Sequence, residues 1–325
     1  MSNVMSRFLA TTVLTCAALS DGALAQDYPA RQITMIVPFS GGSASDVITR
    51  IVLERMGTSI GQRFVVDNRP AAGGNVGTAA VAKAAPDGYT LGMSASGPLA
   101  ANKTLYANLG YDPERDFQPV SLYASLPNVV VVSARLPVQN IAELIDYVKK
   151  NPNVPYGSVG NGSAQHLSGA FFEQIVGAQM THVPYRVTAN LVTDLVSGQA
   201  PVSFQLLPNV RGQIKAGQVR ALIVAAEKRL AALPEVPTAA EAGFRRYVSA
   251  AWFAFISPRG TARPMVDKLY REVAAAMADT AVRTRFVDFG AEPLATTPEE
   301  LGKYISTEIV KWREIITKGG ITIDP

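Results

Sequence analysis

The stretch that decides the fold is residues 33–50, Ile-Thr-Met-Ile-Val-Pro-Phe-Ser-Gly-Gly-Ser-Ala-Ser-Asp-Val-Ile-Thr-Arg. The apolar run 33–39 predicts a buried strand, and apolar residues at helical spacing predict a helix over 46–56. Between them lies a loop of small residues, in which Gly41 and Gly42 let a ligand come close to the backbone. The free N–H groups of a helix N-terminus favour a carboxylate or phosphate. The stretch therefore predicts an anion-binding loop, with an ordinary tight turn as the alternative.

This loop does not match the two best-known phosphate motifs. A P-loop needs a lysine after its glycines, and the dinucleotide fingerprint needs the spacing G-x-G-x-x-G. Residues 40–46 have neither feature. We therefore predict no nucleotide cofactor.

The first 25 residues have the pattern of a secretory signal peptide. Arg7 provides a positive start, 8–19 is an apolar run, and 23–25 is a small-x-small cleavage pattern. We expect cleavage after Ala25 and a periplasmic protein in a two-membrane bacterium. A lipoprotein signal ending at Cys16 and a buried N-terminal helix are the alternatives.

The composition excludes several function classes. Cys16 is the only cysteine, so the mature chain has no disulfide, thiolate metal site or cysteine nucleophile. The mature chain has only two histidines, His166 and His182, so we predict no metal site. The formal charge is +4, and the basic residues are scattered without a basic stripe, so we predict no nucleic-acid partner.

Strand and helix patterns alternate along the chain and predict an α/β protein with two lobes. A βαβαβ pattern covers 33–94, and a second α/β unit runs from about 122 to 225. The last part has one strand pattern followed by long helices, too few strands for a domain, so we expect it to return to the first unit. The predicted boundaries are lobe 1 at 26–124 plus 250–325 and lobe 2 at 125–249, with crossings near 122–127 and 247–252.

A second loop has the same physical design as the first. Residues 156–167 read Tyr-Gly-Ser-Val-Gly-Asn-Gly-Ser-Ala-Gln-His-Leu, a strand end, a small polar loop and a helix start. Two such loops that face each other across a cleft can hold the two ends of a small anion. A third loop, 182–186, adds a phenol or a cation.

Two other function classes are weighed against ligand binding. A secreted serine-type hydrolase would use Ser163, His166 and Asp194, although no G-x-S-x-G elbow surrounds the serine. A histidine beside a helix start is more typical of structural hydrogen bonding. The ligand-sensing lobe of a transcription factor is the third class, but an export signal and the lack of a helix-turn-helix pattern count against it.

Six segments together resemble the Bug receptors, the extracytoplasmic solute-binding proteins of tripartite tricarboxylate transporters (TctC-type). The resemblance runs from about Tyr28 to the last predicted helix. The segments are IVPFSGGSASD at 36–46, NRPAAGGNVG at 68–77, PDGYT at 86–90, YGSVGNGSAQHL at 156–167, HVPYR at 182–186 and LPEVPTAAEAGF at 233–244.

The resemblance implies a type II periplasmic-binding-protein (Venus flytrap) fold and a non-enzymatic receptor for a small carboxylate. It implies delivery to the membrane components of a transporter or to a sensor, and a monomer is the default for this architecture. Together with the loop patterns it gives these candidate ligand-binding residues: Phe39, Ser40, Gly41, Gly42, Ser43, Asp46, Ser94, Ser96, Asn161, Gly162, Ser163, His166, Tyr185 and Gln205.

Three positions depart from the family pattern. Ser43 stands where a second glycine is usual, and Val187 stands where the family often has glycine. Gln205 stands where an aspartate is common, and that aspartate suits a ligand with an ammonium group. A neutral Gln205 favours a plain or aromatic carboxylate over an amino acid.

Overall fold

The computed structural model describes residues 28–323. The predicted signal peptide, its cleavage site and Cys16 lie outside these residues. The strands are β1 Ile33–Val37, β2 Phe64–Asn68, β3 Thr90–Ala95, β4 Phe117–Ser133, β5 Val154–Ser158, β6 Met180–Pro184, β7 Val202–Leu206, β8 Val219–Val224, β9 Ala250–Pro258 and β10 Glu292–Pro293.

The helices alternate with these strands, as the sequence predicts. They are α1 Ala44–Ile60, α2 Asn75–Ala82, α3 Asn102–Leu105, α4 Ile141–Lys150, α5 Ala164–Val176, α6 Thr188–Ser197, α7 Leu207–Lys215, α8 Arg263–Ala278, α9 Thr280–Asp288 and α10 Pro298–Gly319. A 3₁₀ turn at Ala72–Gly74 and a π turn at Gly97–Ala101 add to them. None of the helices in 28–323 is long and apolar enough to cross a membrane.

The strands form two sheets, one in each lobe, and β4 belongs to both. In the first lobe the order is β2-β1-β3-β9-β4, with β10 on β4. In the second lobe the order is β4-β7-β5-β6, with β8 also on β4. β1 is parallel to β2 and β3, and β5 is parallel to β6 and β7, as expected from the strand–helix alternation. The predicted two-lobe α/β fold is confirmed.

The connection between the lobes is more regular than the sequence predicts. The sequence shows a strand only at 128–133, but β4 is continuous from Phe117 to Ser133. It pairs with β9 as far as Pro127 opposite Ala250, and with β7 from Asn128 onward. The sequence signal is weak because Pro119 and Pro127 interrupt the apolar pattern, and both lie on a strand that only tertiary pairing makes regular.

The two crossings lie side by side and are hydrogen-bonded to each other. The Asn128 N–H donates to Ser249 O at 2.9 Å, and the Ala225 N–H donates to Asn128 O at 2.8 Å. The Asn128 amide also donates to Ser249 Oγ at 3.0 Å. A change in the angle between the lobes must therefore bend two paired segments together.

Candidate functional site

Two strand–loop–helix units, β1–α1 and β5–α5, face each other across the lobe interface with nearly the same geometry. Their N-cap residues, Ser43 and Ser163, have φ and ψ of −69° and 164°, and of −68° and 159°. Each serine Oγ accepts the N–H three residues later, at 3.4 Å from Asp46 and at 3.3 Å from His166. The strand, small polar loop and serine-capped helix therefore recur in both lobes, and each cap satisfies one of the N–H groups that a helix N-terminus leaves without an intrahelical partner.

Asp46 and His166 have equivalent structural roles in the two loops. The Gly42 N–H donates to Asp46 Oδ2 at 2.9 Å, and the Gly162 N–H donates to His166 Nδ1 at 3.1 Å. Each side chain thus fixes the loop backbone just before the cap. Because Nδ1 of His166 accepts a hydrogen bond, it carries no proton there.

The carboxylate of Asp46 is held ionised although it is buried. Burial raises its pKa, but hydrogen bonds from Arg50, from the Gly42 N–H and from Asn68 outweigh burial and hold the pKa below its ordinary value. Arg50 Nε lies 2.9 Å from Oδ2, and Asn68 Nδ2 lies 3.0 Å from Oδ1. With these partners, Asp46 supports the loop and does not offer its charge to a ligand.

A small inner chamber lies between the N-termini of α1 and α5. Its volume is about 20 Å³, enough for a single water molecule. Its wall contains Ser43, Ala44 and Ser45 from one lobe and Ser163, Ala164 and Gln165 from the other. The remaining wall residues are Phe39, Ala95, Gly97, Pro98, Val159, Leu206, Asn209, Ala251 and Phe253.

A larger outer cavity of about 530 Å³ adjoins the chamber. Phe39 and Val159 line both spaces. The outer cavity is lined by Pro38, Phe39, Ser40, Pro70, Ala71, Ala72, Gly73, Gly74, Tyr106, Val159, Gly160, Asn161, Pro184, Tyr185, Arg186, Thr188 and Ile323. Its size suits a small molecule whose polar end enters the chamber.

The two lobes touch, so the structure is a closed form. Ser40 Oγ lies 3.0 Å from Thr188 Oγ1 and accepts the Thr188 N–H at 3.2 Å. The Ala44 N–H donates to Asn209 Oδ1 at 2.6 Å. Thr188 and Ala44 are the first residues of α6 and α1, so each lobe caps a helix of the other.

Further contacts close the rim of the cavity. Tyr106 donates its hydroxyl to Asn161 O at 3.0 Å, and Arg186 Nε donates to Pro70 O at 2.8 Å. At Gly97 the backbone is so close to the second lobe that a Cβ would lie 2.2 Å from Gly162 O. The lobes therefore fit together along their backbones.

The predicted site residues fall into three groups. Phe39, Ser40, Ser43, Asn161, Ser163 and Tyr185 line the two spaces. Gly41 and Gly42 are exposed, and the N–H of Gly42 already has an acceptor within the loop. Asp46, Ser94, Ser96, Gly162, His166 and Gln205 are buried behind the walls.

The residues buried behind the walls form hydrogen bonds mainly with other protein atoms. Ser94 Oγ lies 2.8 Å from Thr78 Oγ1. Gln205 is fully buried, and its amide bonds Ser203 Oγ and Asn209 Nδ2, both at 2.8 Å. Ser96 Oγ is buried and has no hydrogen-bond partner within residues 28–323.

Sequence reasoning missed four residues that shape the site: Tyr106, Thr188, Asn209 and Arg186 as an interlobe contact. Thr188 and Asn209 lie in the first turns of helices that directly follow strands or their loops. That position is a detectable signal, because such turns meet at one edge of a parallel sheet. The role of Tyr106 has no local signal, since its partner is 55 residues away.

Tyr185 and Asp194 form a pair at the edge of the outer cavity. The Tyr185 hydroxyl donates to Asp194 Oδ2 at 2.7 Å. Burial, followed by the neighbouring Asp194, raises the pKa of Tyr185 to about 12. Tyr185 therefore stays a neutral phenol at physiological pH.

The residues named for the hydrolase alternative have hydrogen bonds within the protein framework. Asp194 Oδ2 accepts the Tyr185 hydroxyl, Nδ1 of His166 accepts the Gly162 N–H, and Ser163 Oγ accepts the His166 N–H. Within residues 28–323 no group of three His, Cys, Asp or Glu side chains is arranged to hold a metal ion.

Two α/β lobes, two hydrogen-bonded crossings and a cleft between opposed helix N-termini are the architecture of a two-lobed ligand-binding protein. Residues 48–321 match the family described as the tripartite tricarboxylate transporter family receptor. The chain belongs to this family of solute-binding receptors, as its motifs predict.

Known relatives agree over nearly the full length. The protein BugT of Bordetella pertussis is 35% identical over 320 residues, which are 97% of this chain and 98% of that protein. The structure of the periplasmic binding protein BugD has a TM-score of 0.87 at 34% identity and covers 91% of this chain and 99% of BugD. R. palustris Rpa4515, whose structure is described as containing adipate, has a TM-score of 0.88 at 36% identity and covers 91% and 99%.

Proposed function

We propose that this protein is a periplasmic receptor that captures a small organic carboxylate between its lobes. The observation that carries the proposal is the pair of opposed helix N-termini, α1 and α5, at the inner end of a 530 Å³ cavity. Helix N-termini attract a carboxylate through free N–H groups and through the helix dipole. The adipate in Rpa4515 supports the same ligand class.

The proposed ligand is a di- or tricarboxylate, and an aromatic carboxylate is the alternative. One carboxylate takes the chamber between the helices. A second favourable place for negative charge is the guanidinium of Arg186, which is exposed and lines the outer cavity. The neutral amide at Gln205 gives no charge partner for an amino group, which supports a ligand without one.

Closure of the lobes is the event that partners detect in this proposal. The moving units are 26–124 plus 250–325 and 125–249, and the paired crossings at Asn128 and Ser249 are the hinge. The closed receptor, a monomer released from its signal peptide after Ala25, delivers the ligand to the membrane components of a tripartite tricarboxylate transporter or to a sensor.

The direct test is titration calorimetry against dicarboxylates of different chain length, citrate, benzoate and aspartate. Native mass spectrometry of the freshly purified protein complements it by detecting a ligand carried through purification. We expect saturable binding of at least one di- or tricarboxylate. A folded protein that binds none of these compounds and carries no ligand would contradict the proposal.

A charge-neutralising variant tests the second carboxylate contact. Arg186→Gln should weaken the binding of a dicarboxylate more than that of a monocarboxylate, because only the former reaches the guanidinium. Arg135→Gln is the matched control, since Arg135 is also an exposed second-lobe arginine that donates to a backbone carbonyl, Ser197 O at 3.1 Å. Equal losses for both ligand types would assign Arg186 to lobe closure alone.

A further inference from the structure

The inner chamber holds a polar side chain that takes the place expected for a ligand oxygen. Asn209, the third residue of α7, is 9% exposed and lines the chamber. Its Oδ1 accepts the N–H of Ala44, the first residue of α1, at 2.6 Å from across the lobe interface. A neutral oxygen from lobe 2 therefore occupies a donor of the helix terminus that a carboxylate would use.

The orientation of Asn209 is fixed by a chain of hydrogen bonds with a single possible direction. At one end the Ala44 N–H can only donate, so the Asn209 oxygen must face it and Nδ2 must face Gln205 Oε1, at 2.8 Å. Gln205 Nε2 then donates to Ser203 Oγ at 2.8 Å, and Ser203 donates to Gly157 O at 2.6 Å. Gly157 O can only accept, so both ends of the chain are defined by backbone groups.

The chemistry of the donor gives a second argument. A backbone N–H has a single hydrogen to donate, so a carboxylate that takes the Ala44 N–H must displace the atom that now accepts it. Asn209 is the wall residue whose oxygen already lies on an α1 N–H.

We propose that Asn209 is an internal substitute for the ligand, which caps α1 in the closed, ligand-free receptor and must leave when a carboxylate binds. Gln205 is the positioning residue that holds Asn209 in this rotamer. The carboxylate then accepts the Ala44 N–H in its place. The inference rests on the proposed function only for the identity of the displacing ligand. The capping of α1 by Asn209 in the ligand-free protein does not depend on it.

The ligand-free protein gives the first test, by small-angle X-ray scattering of purified, ligand-stripped samples. Asn209→Ala removes the cross-lobe cap and should shift the protein to a more open form with a larger radius of gyration. Asn209→Asp offers a charged acceptor to the same N–H and should keep the protein closed. Asn151→Ala, at an exposed asparagine that ends α4, is the control and should leave the scattering unchanged.

Adipate titration gives the second test. Asn209→Ala and Asn209→Asp should change the affinity for adipate in opposite directions. Because the competitor is gone, Asn209→Ala should bind adipate about fivefold more tightly, the effect expected from one net hydrogen bond. Asn209→Asp should bind it at least fivefold more weakly. Gln205→Met, which leaves Asn209 untethered, should tighten binding by a smaller factor.

The outcomes separate this inference from the proposed function. Weaker or unchanged adipate binding by Asn209→Ala overturns the inference, because Asn209 would then contact the ligand or play no part. Unchanged scattering of ligand-free Asn209→Ala also overturns it. If no variant binds a carboxylate but the scattering shifts as expected, the proposed function fails and the internal cap stands. Thermal unfolding of each variant confirms that it is folded, and Asn209→Ser is the substitute if the alanine variant is not.

Discussion

A methyl group at Gly97 should block closure of the receptor without disturbing either lobe. Gly97 lies in the π turn of lobe 1, and it is not among the glycines with positive φ. Alanine therefore fits its backbone conformation. The nearest atoms to an added Cβ are Gly162 O at 2.2 Å and Gly162 C at 3.2 Å, both in the backbone of lobe 2. The clash exists only when the lobes are together.

The expected loss of affinity follows from the distance by which the two lobes must move apart at Gly97. Ordinary contact begins at 3.4 Å, so the lobes must separate by about 1.2 Å at this point. The nearby interlobe bonds, such as Tyr106 to Asn161 O at 3.0 Å, do not survive such a separation. Overpacking of this kind costs about 1–3 kcal/mol. A ligand bound only by the closed form then loses about 5-fold to 150-fold in affinity.

Calorimetric titration of adipate into Gly97→Ala measures this loss, and thermal unfolding checks the fold. Gly212→Ala is the matched control, because a Cβ at Gly212 meets no atom within 4 Å. We expect the control to bind like the wild type and the unfolding temperature of Gly97→Ala to remain close to the wild-type value. Adipate affinity of Gly97→Ala within twofold of the wild type would refute the reasoning, since the lobes would then close without this backbone contact.

Three further predictions concern the loops and the buried polar groups. Gly42→Val should weaken carboxylate binding, because valine disfavours the φ of +75° found at Gly42 and the loop must change shape. The protein should stay folded, because a Cβ at this position meets no atom within 4 Å. Calorimetry that gives wild-type affinity would contradict the prediction. Gln205→Asp should also weaken binding of a plain carboxylate, since it buries a charge and cannot donate to Ser203; equal or tighter binding would show that position 205 tolerates a charge. Burial, with a contribution from His166, lowers the pKa of His182 to about 3 from 6.5. Between pH 6.5 and pH 3 the imidazole of His182 is therefore protonated in the unfolded chain and neutral in the folded protein. As the pH falls through this range, the free energy of unfolding should fall by about 1.4 kcal/mol per pH unit. Chemical denaturation at several pH values measures this slope, and a His182→Gln variant with the same slope would assign it to other groups.

The local parts of the site could be predicted from the sequence. Ser43 and Ser163 cap helices because a serine just before an apolar helix pattern accepts the N–H of the third residue after it. Strand and helix order could be predicted for the same reason, since apolar periodicity is a property of adjacent residues. The motifs also identified the receptor family, which the comparison with known proteins confirms.

The interfaces between these parts required the tertiary structure. Gly41 and Gly42 are exposed, whereas Ser40 and Ser43 to Ser45 of the same loop line the two spaces. Which side of a loop faces the cleft depends on how the lobes meet, and no local pattern encodes it. Likewise β4 is continuous through Pro119 and Pro127 because β9 pairs with it.

The opening stretch shows where this division lies. Residues 33–50 by themselves determined a strand, a capped helix and a backbone suited to an anion, because hydrogen bonds within a few residues define all three. Only the tertiary structure decided what the first N–H of that helix binds. Its acceptor is Asn209, 165 residues away in the other lobe, and a contact at that separation depends on two folded lobes and the angle between them.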